Sequence, residues 1–299
     1  MFAALLTVLL FSVSGIAGER SARYLGGQRA NLLRLFFATA VMGVVTVVFF
    51  RESIRTETFG WLFFSGIVGF GLGDIALFLA YVRIGARLTI LLNLCTAPLW
   101  SALLERVWLG TTLSGIQLFA GGIILAGVAM ALLARPPGGG QGSRVVGILC
   151  GLTAGCGQGL GAVISRKAFE VATVDGFVLN GMSAAAQRVL GGFFTALVVW
   201  AVIYMIGKSH SRPKVSASQG KKILWLAATT LCGPILGVSC FQWSLMELPS
   251  AISTAVVATT PIAMIPLAIW IDRERLRPLS VLGAITAVAG VVLMVLIEH

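Results

Sequence analysis

The sequence predicts an all-α polytopic membrane protein whose ten transmembrane helices form two inverted five-helix repeats around a central cavity. Three observations favour this fold class: the composition, the spacing of the apolar runs, and a weak internal repeat. Of the 299 residues, 58% are hydrophobic and 11% are charged, and the mean hydropathy is +0.96. Soluble domains carry about 25% charged residues, so this composition excludes a soluble enzyme, a secreted disulfide scaffold and a nucleic-acid-binding domain.

The apolar runs are long enough to cross a membrane, since about 20 helical residues span roughly 30 Å of hydrocarbon. Read in order between charged or Pro/Gly-rich segments, they predict helices at Phe2–Gly18, Ala30–Phe50, Thr58–Ala80, Leu88–Val107, Leu113–Leu133, Val145–Ser165, Phe177–Ile206, Ile223–Leu245, Ala251–Ile271 and Leu279–Ile297. The seventh run is long and is expected to tilt or to begin several residues later. The first run ends in small residues, as a signal peptide does, but no basic segment precedes it. We therefore expect an uncleaved helix.

A flexible linker at 135–144, rich in Pro and Gly, divides the chain into predicted five-helix repeats at 1–134 and 145–299. One ungapped shift aligns Phe78–Met130 with Phe241–Leu293. Each repeat has an odd number of helices, so the second must enter the membrane with the opposite orientation. Inverted repeats of this kind are typical of secondary transporters.

The same comparison of the two halves brings together residues that disturb helices. Pro98 falls on Pro261 in mid-span, and a Gly-x-x-x-Gly that ends at Gly73 or Gly237 precedes each proline. Matched Gly/Pro-broken helices indicate a binding site at the repeat interface, near the midplane. These four residues are therefore the candidates for helix breaks or gating.

The basic residues act as a topological signal, because they concentrate in short loops between the apolar runs. The formal net charge is +11, and the loops on one side, among them Gly207–Lys222, carry most of the Lys and Arg residues. The positive-inside rule therefore predicts that this side is cytoplasmic and that both chain ends lie outside.

Several features resemble the EamA-type members of the drug/metabolite transporter superfamily. They are Leu33-Arg34-Leu35-Phe36 in the second helix, the mid-helix Pro98 and Pro261, and the Gly-rich fifth and tenth helices with Ala-Gly-Val near their ends. The resemblance covers nearly the whole chain. It implies a ten-helix bundle with a central cavity that moves small metabolites by alternating access, usually outwards. The sequence departs from the family at Gly110-Thr111 and Arg273-Glu274, where Gly-Glu is common, and several relatives have cytoplasmic termini, unlike the orientation predicted here.

Asp74 is the ionisable residue deepest in the third predicted helix, directly after Gly73, and Phe78 and Tyr81 continue its face. A charged group inside a membrane costs several kcal/mol and is a functional candidate by default. Asp74 is expected either to carry a coupling proton or to be the structural partner of an arginine.

Arg34 and Arg188 occupy matching positions in the second and seventh helices. A cavity arginine can hold a substrate carboxylate through two parallel hydrogen bonds. Arg34 lies close to the start of its helix and is expected to extend to the membrane interface. Arg188 lies deeper, next to Gln187, and is expected in a cavity or between helices.

Polar side chains at helical spacing form stripes on four predicted helices. Such stripes either join helices by hydrogen bonds, each worth about 0.6–2 kcal/mol, or line a wet cavity. The cavity-lining candidates are Asn93, Thr96 and Trp100 on the fourth helix, Gln158 on the sixth, Gln187 on the seventh, and Gln242 and Trp243 on the eighth. The glycines from Gly151 to Gly161 are expected to serve close packing.

The sequence predicts a secondary transporter driven by a gradient, because it contains no nucleotide-binding loop, metal-ligand cluster or nucleophile constellation. We expect an exporter of small organic metabolites such as amino acids or drugs, in the cell membrane, without a cofactor or nucleic-acid partner, as a monomer or weak homodimer. The five cysteines lie in apolar runs and are expected to be free thiols.

Two alternatives belong to other classes. A membrane-embedded, lipid-modifying enzyme would need acids and histidines clustered at one interface. A channel or structural subunit would be favoured by a ring of like charges.

Overall fold

The computed structural model describes residues 1–109, 115–133, 143–206, 217–248, 250–272 and 277–296. Regular structure in these ranges is helical and forms ten spans. They are α1 (Phe2–Leu25), α2 (Gly27–Phe49), α3 (Thr56–Ile84), α4 (Ala86–Leu109), α5 (Gly115–Leu133), α6 (Arg144–Val174), α7 (Gly181–Met205), α8 (Gln219–Glu247), α9 (Ser250–Val257 and Thr260–Asp272) and α10 (Pro278–Leu296). Eight are long and apolar enough to cross a bilayer, and α5 and α10 add shorter apolar stretches. The predicted all-α polytopic fold is confirmed.

The side chains are distributed as in a protein surrounded by lipid. Large apolar side chains lie on the outside, for example Phe49, which is 71% exposed, and Val44. Arg34, Asp74 and Arg188 are buried inside. Water would favour the reverse arrangement, because charged residues are rarely buried in soluble proteins. The surface of the bundle therefore suits hydrocarbon.

Single glycines connect the first four helices into two tight hairpins. Gly26, with a φ of 86°, joins α1 to α2, and Gly85, with a φ of 78°, joins α3 to α4. Backbone with positive φ is readily adopted by glycine and is strained for other residues. Each hairpin therefore turns within one residue.

Two predicted helix ends are wrong, because charged residues continue the helix instead of ending it. α1 runs past Gly18 to Leu25, and Arg23 forms a salt bridge with Glu19 one turn earlier. α6 runs past Ser165 to Val174, where exposed basic residues pair with Glu170. Pairs at this spacing stabilise a helix, so charge alone does not mark its end.

The start of α7 is displaced towards its C-terminal side, as the length of the seventh run suggested. The helix begins at Gly181, and the Asn180 side chain accepts a hydrogen bond of 2.8 Å from the Met182 backbone N–H. This is a helix N-cap, which satisfies a backbone donor that has no partner within the helix.

The predicted linker at 135–144 lies outside the described residues except at its end, where Arg144 begins α6. Much of the polar segment 207–222 also lies outside them, and its last residues belong to α8. The departures from the family pattern, at Gly110-Thr111 and Arg273-Glu274, fall outside the described residues as well.

Contacts between the halves follow a repeated scheme. α3 packs antiparallel to α6, since Ser65 donates a hydrogen bond of 2.6 Å to the Gly161 carbonyl while Gly73 lies beside Gly157 further along. These contacts bring the third helix of the first half against the first helix of the second half.

The inverted repeat relates this contact to the one between α8 and α1. Thr229 donates a hydrogen bond of 3.3 Å to the Ser14 carbonyl, and Thr7 lies against Gly237 at the other end of the contact. The third helix of the second half thus packs antiparallel to the first helix of the first half. Reciprocal contacts of this kind are expected of two inverted copies that interlock.

Glycine allows α6 to approach α4 closely. Three glycines on one face of α6 touch α4: Gly151 lies against Leu92, Gly155 against Thr96, and Gly159 against the Ala97 carbonyl. A Cβ on any of these glycines would collide with α4. Small residues let backbones approach in membrane helix pairs. The row therefore serves packing, as predicted.

The regular α-helix is interrupted in the middle of matching spans. α3 adopts π-helical geometry at Ile67–Gly73, and α8 does so at Leu231–Ile235, shortly before Gly237. π-helical segments are rare and occur often at functional sites. The π-helical segment includes the predicted Gly73 in the first half, whereas in the second half it ends two residues before the predicted Gly237.

The two matched prolines differ in their effect. Pro98 lies inside a continuous α4, whereas Pro261 follows a break in α9 at Ala258 and Thr259. A proline cannot donate the backbone hydrogen bond of a helix. In a regular helix the backbone N–H of residue 261 would donate to the Val257 carbonyl, but Pro261 has no N–H. In α9 the Thr260 hydroxyl donates to this carbonyl instead. The prediction of a helix break is therefore wrong for Pro98, which lies in a continuous helix.

Candidate functional site

Four charged side chains are buried in the described part of the bundle. Glu19 pairs with Arg23, and the other three lie where the two halves meet. Arg34 on α2 is 5% exposed, Asp74 on α3 is 9% exposed, and Arg188 on α7 is 1% exposed. Their residues come from different helices, so the fold and not the local sequence brings them together. Because burial of a charge inside a membrane is costly, this charge cluster (Arg34, Asp74, Arg188) is the candidate functional site.

Arg34 is bound to the only carboxylate in the charge cluster. Its Nη2 donates a charge-assisted hydrogen bond to Oδ2 of Asp74 and a second one, of 3.3 Å, to Oδ1 of Asn31. Its guanidinium also lies 4.8 Å from the centre of the Phe78 ring. The prediction that Arg34 extends to the interface is wrong, because Asp74 and Asn31 accept hydrogen bonds from its Nη2 inside the bundle. Its Nε has no hydrogen-bond partner among the described residues.

Asp74 therefore occupies the position of an arginine partner, one of its two expected roles. The side chains that continue its face are buried as well, and the Phe78 and Tyr81 rings meet edge to face at 5.4 Å. Proton transfer by Asp74 remains a prediction.

Arg188 has no comparable partner among the described residues. Its Nε makes no hydrogen bond, and no carboxylate of the described chain lies within ion-pair distance. Asp74 attracts it only from a longer distance. The guanidinium instead lies 5.2 Å from the centre of the Phe70 ring, a cation–π contact that partly offsets its burial.

The two arginines are related by the inverted repeat. Nη2 of Arg188 lies 3.1 Å from the point where a Cβ on Gly69 of α3 would be, and Nη1 of Arg34 lies 3.1 Å from the corresponding point on Gly233 of α8. Both glycines belong to the π-helical segments. Each arginine therefore reaches across the interface to the interrupted helix of the opposite half.

The polar stripe on α4 has several environments. Asn93 is buried, and its Oδ1 has no hydrogen-bond partner in the described chain. The Thr96 hydroxyl donates to the Leu92 carbonyl of its own helix at 2.6 Å. Trp100 is half-buried with its Cβ against Gly159 of α6. Only Asn93 therefore presents an unsatisfied polar atom.

The glutamines also differ. Nε2 of Gln187 donates to the Ser53 carbonyl at 3.3 Å and to the Ser183 hydroxyl at 3.1 Å, so this side chain holds the start of α7 against the 51–53 turn. Gln242 of α8 is fully buried, and neither polar atom of its amide has a partner in the described residues. Gln158 is half-buried.

Trp243 departs from the expected enclosed position. Its side chain is 43% exposed, while its backbone packs on Gly181 at the start of α7. The indole therefore lies on the surface of the bundle, because its helix turns the neighbouring Gln242 inwards and Trp243 outwards.

Sequence reasoning missed Asn31, Phe70 and Gly233 as neighbours of the two arginines. Asn31 lies one turn before Arg34 and was detectable by spacing. The other two are contributed by distant helices and had no local signal. The described residues contain no group of three or more His, Cys, Asp or Glu side chains that could hold a metal ion, and the five cysteines are free thiols.

Comparisons with known proteins agree with this architecture. A family model described as the EamA-like transporter family matches residues 1–133 and 145–296. A solved structure titled "Crystal structure of protein" is similar in fold over 99% of this chain and 96% of that chain, with a TM-score of 0.65 and 18% sequence identity. No curated protein matches the chain.

Proposed function

Because the chain belongs to the EamA-like transporter family and is a multi-pass membrane transporter, we propose that it is a secondary transporter that moves small organic metabolites by alternating access. The direction is outwards and the site is the cell membrane. The driving force is an ion or solute gradient, since the sequence contains no nucleotide-binding loop.

The observation that carries this proposal is the position of the charge cluster. Arg34 and Arg188 each contact a π-helical segment of the opposite half. In secondary transporters the binding site lies at the repeat interface, near the midplane, beside discontinuous helices. A structural subunit has no need of costly charges at that place.

Unsatisfied amides in the bundle interior support the same function. Asn93 and Gln242 are buried, with polar atoms that have no partner in the described part of the chain. Buried polar groups in proteins are normally hydrogen-bonded, so we infer that these amides bind water or solute when the two halves move and expose them. An interior that accepts polar molecules is what a transport route requires.

The inverted repeat gives a simple route for alternating access. Two interlocked halves of opposite orientation can exchange conformations, so that the same binding site opens to one side and then to the other. The π-helical segments of α3 and α8 are the places where the helices can bend. Asp74 is the proposed carrier of a coupling proton, because it is the carboxylate of the charge cluster.

Reconstituted vesicles test the proposed function. Purified protein in liposomes, loaded with radiolabelled amino acids, nucleosides and cationic drugs in turn, should exchange at least one of them faster than protein-free liposomes. Exchange measures solute movement without a need to know the coupling ion. If no solute moves and mass spectrometry of the lipids shows a protein-dependent product, the function is that of a lipid-modifying enzyme.

The proposed orientation is tested separately. Ser218→Cys lies just before α8, on the side where basic residues concentrate, and should resist an impermeant thiol reagent in intact cells and react after permeabilisation. The unmodified protein, whose cysteines lie in the spans, is the control. Labelling of intact cells would place that segment outside.

A further inference from the structure

We propose that Arg188 binds the negatively charged group of the transported solute, and that the solute therefore carries a carboxylate. This inference rests on the proposed transport function and adds a class of cargo to it. It assigns different roles to the two symmetry-related arginines: Arg34 is held by Asp74, and Arg188 is free to bind.

The first argument is the missing partner. Arg188 is 1% exposed and, unlike Arg34, forms no ion pair within the described chain. Its Nε has no hydrogen-bond partner there, a feature that the Nε of Arg34 shares. An arginine does not lose its proton in proteins, so burial cannot neutralise it. A buried charge without a counter-charge is strongly unfavourable. A negatively charged ligand would therefore bind favourably at Arg188, because it would neutralise this buried charge.

The second argument is the charge balance of the charge cluster. Arg34 and Arg188 are positive and Asp74 is negative, and Asp74 is already bound to Arg34. The cluster thus retains one positive charge, which a single carboxylate would neutralise. A guanidinium matches a carboxylate with two parallel hydrogen bonds, so arginine suits this ligand better than lysine.

The third argument is the close glycine packing around the guanidinium. Gly69 of α3 and Gly161 of α6 flank Nη2 of Arg188, and a Cβ on either would lie 3.1 Å from this atom. Glycine at both positions therefore lets the end of the guanidinium lie against the α3–α6 contact, from which a larger side chain would displace it. Phe70 supports its face at 5.2 Å, and this contact explains how the ligand-free state tolerates the charge.

Matched pairs of solutes test the inference. Purified protein is heated in detergent with L-phenylalanine or phenethylamine, with L-leucine or 3-methylbutylamine, and with benzoate or benzyl alcohol, and vesicle exchange is measured with the same compounds. We expect at least one carboxylate to raise the melting temperature and to exchange, while its partner without the carboxylate does neither.

Substitution of Arg188 identifies the binding group. Arg188→Gln should weaken the effective carboxylate by about tenfold or more, as expected for loss of a charge-assisted pair. It should leave the melting temperature of the ligand-free protein unchanged or raise it. Arg34→Gln is the matched control, and it should lower that temperature because it leaves Asp74 buried without its partner. If Arg188→Gln expresses poorly, Arg188→Lys keeps the charge but not the planar fork, and it should also bind the carboxylate more weakly.

Several outcomes overturn the inference. It fails if the amines or the alcohol bind as well as the carboxylates, or if Arg188→Gln binds carboxylates as the wild type does. It also fails if Arg188→Gln lowers the ligand-free melting temperature as much as Arg34→Gln, since Arg188 would then be structural. Exchange of amines or nucleosides alone rejects the carboxylate and leaves the transporter intact, whereas exchange of no solute at all rejects the proposed function.

Discussion

Arg34 and Arg188 have matching positions in the two halves but different surroundings. Each is buried, each reaches a glycine in the π-helical segment of the opposite half, and each lies over a phenylalanine ring. Arg34 forms an ion pair, whereas no such pair exists for Arg188 in the described chain. A nearly symmetric scaffold therefore holds an asymmetric distribution of charge.

One residue accounts for much of this difference. Asp74 follows Gly73 in the first half, and the buried Val238 follows the matching Gly237 in the second half. The same fold thus supplies a carboxylate on one side and an isopropyl group on the other. Symmetry of the backbone does not imply equivalence of the chemistry, and the difference can be tested by adding or removing single groups.

The largest effect is expected from Asp74→Asn, which removes the negative charge of the cluster and leaves Arg34 without its counter-charge. Loss of one partner of a buried ion pair costs about 3–5 kcal/mol. We expect a clearly lower melting temperature and lower expression. Arg34→Gln combined with Asp74→Asn should recover part of the loss, because neighbouring substitutions are not additive.

If Asp74 carries a coupling proton, a folded Asp74→Asn protein should exchange solute but should not respond to a proton gradient. The neutral amide imitates the protonated carboxyl and cannot change its state between the two conformations. Vesicle exchange and gradient-driven uptake, measured on the same preparation, separate these functions. Normal stability together with full gradient-driven uptake would contradict both expected roles of Asp74.

Val238→Asp should make the two halves alike. The repeat predicts that the new carboxylate pairs with Arg188, as Asp74 pairs with Arg34. We expect carboxylate binding to fall by about tenfold or more, the equivalent of about 1.4 kcal/mol. Val238→Asn, similar in size and uncharged, is the control and should keep more of the binding. Equal loss in both variants would point to packing instead of charge.

Glycine-to-alanine changes should sharpen the comparison by a smaller amount. A Cβ on Gly69 lies 3.1 Å from Arg188 Nη2 and meets little else, whereas a Cβ on Gly233 meets Arg34 and also approaches Ser14 Oγ at 2.6 Å. Overpacking costs about 1–3 kcal/mol. Gly69→Ala should mainly reduce carboxylate binding, and Gly233→Ala should mainly lower the melting temperature. The reverse pattern would exchange the roles assigned to the two arginines.

The smallest effect is expected from the aromatic rings. Cation–π contacts contribute about 0.5–2 kcal/mol, more where water is excluded. Phe70→Leu removes the ring beside Arg188, and Phe78→Leu removes the ring beside Arg34. Both variants lose packing. Phe70→Leu should destabilise the ligand-free protein more than Phe78→Leu does, because Arg188, unlike Arg34, has no carboxylate of the described chain in ion-pair contact. Thermal unfolding of both variants measures the difference.

The fold could be predicted from the sequence largely because the membrane constrains it. Apolar length fixes the number of spans, and an odd number per half fixes their inversion. Boundaries were harder where charged residues continue a helix, as at Glu19 and Glu170, because local ion pairs extend it. The position of a charge in sequence is thus a weak guide to where its helix ends.

The candidate site could be predicted only in part. The pairing of Arg34 with Arg188 by repeat was visible in the sequence, and so was Asp74 as an intramembrane acid. Asp74, the partner of Arg34, lies 40 residues away in the sequence. Whether Asp74 binds Arg34 or Arg188 depends on how α2 and α7 are rotated against α3. For the same reason the sequence did not distinguish the inward Gln242 from the outward Trp243, which are adjacent.

The single-residue turns at Gly26 and Gly85 have a mechanical consequence. A turn of one glycine leaves no spare residues between two helices, so we expect the adjoining ends of α1 and α2, and those of α3 and α4, to keep a fixed separation. Spin labels placed on both arms next to either glycine should report one unchanging distance through the cycle. Labels placed on different hairpins should report two distances, one for each conformation of the cycle. A peptide tag inserted at either turn should separate the two helices of that hairpin, so tags are better placed in other loops.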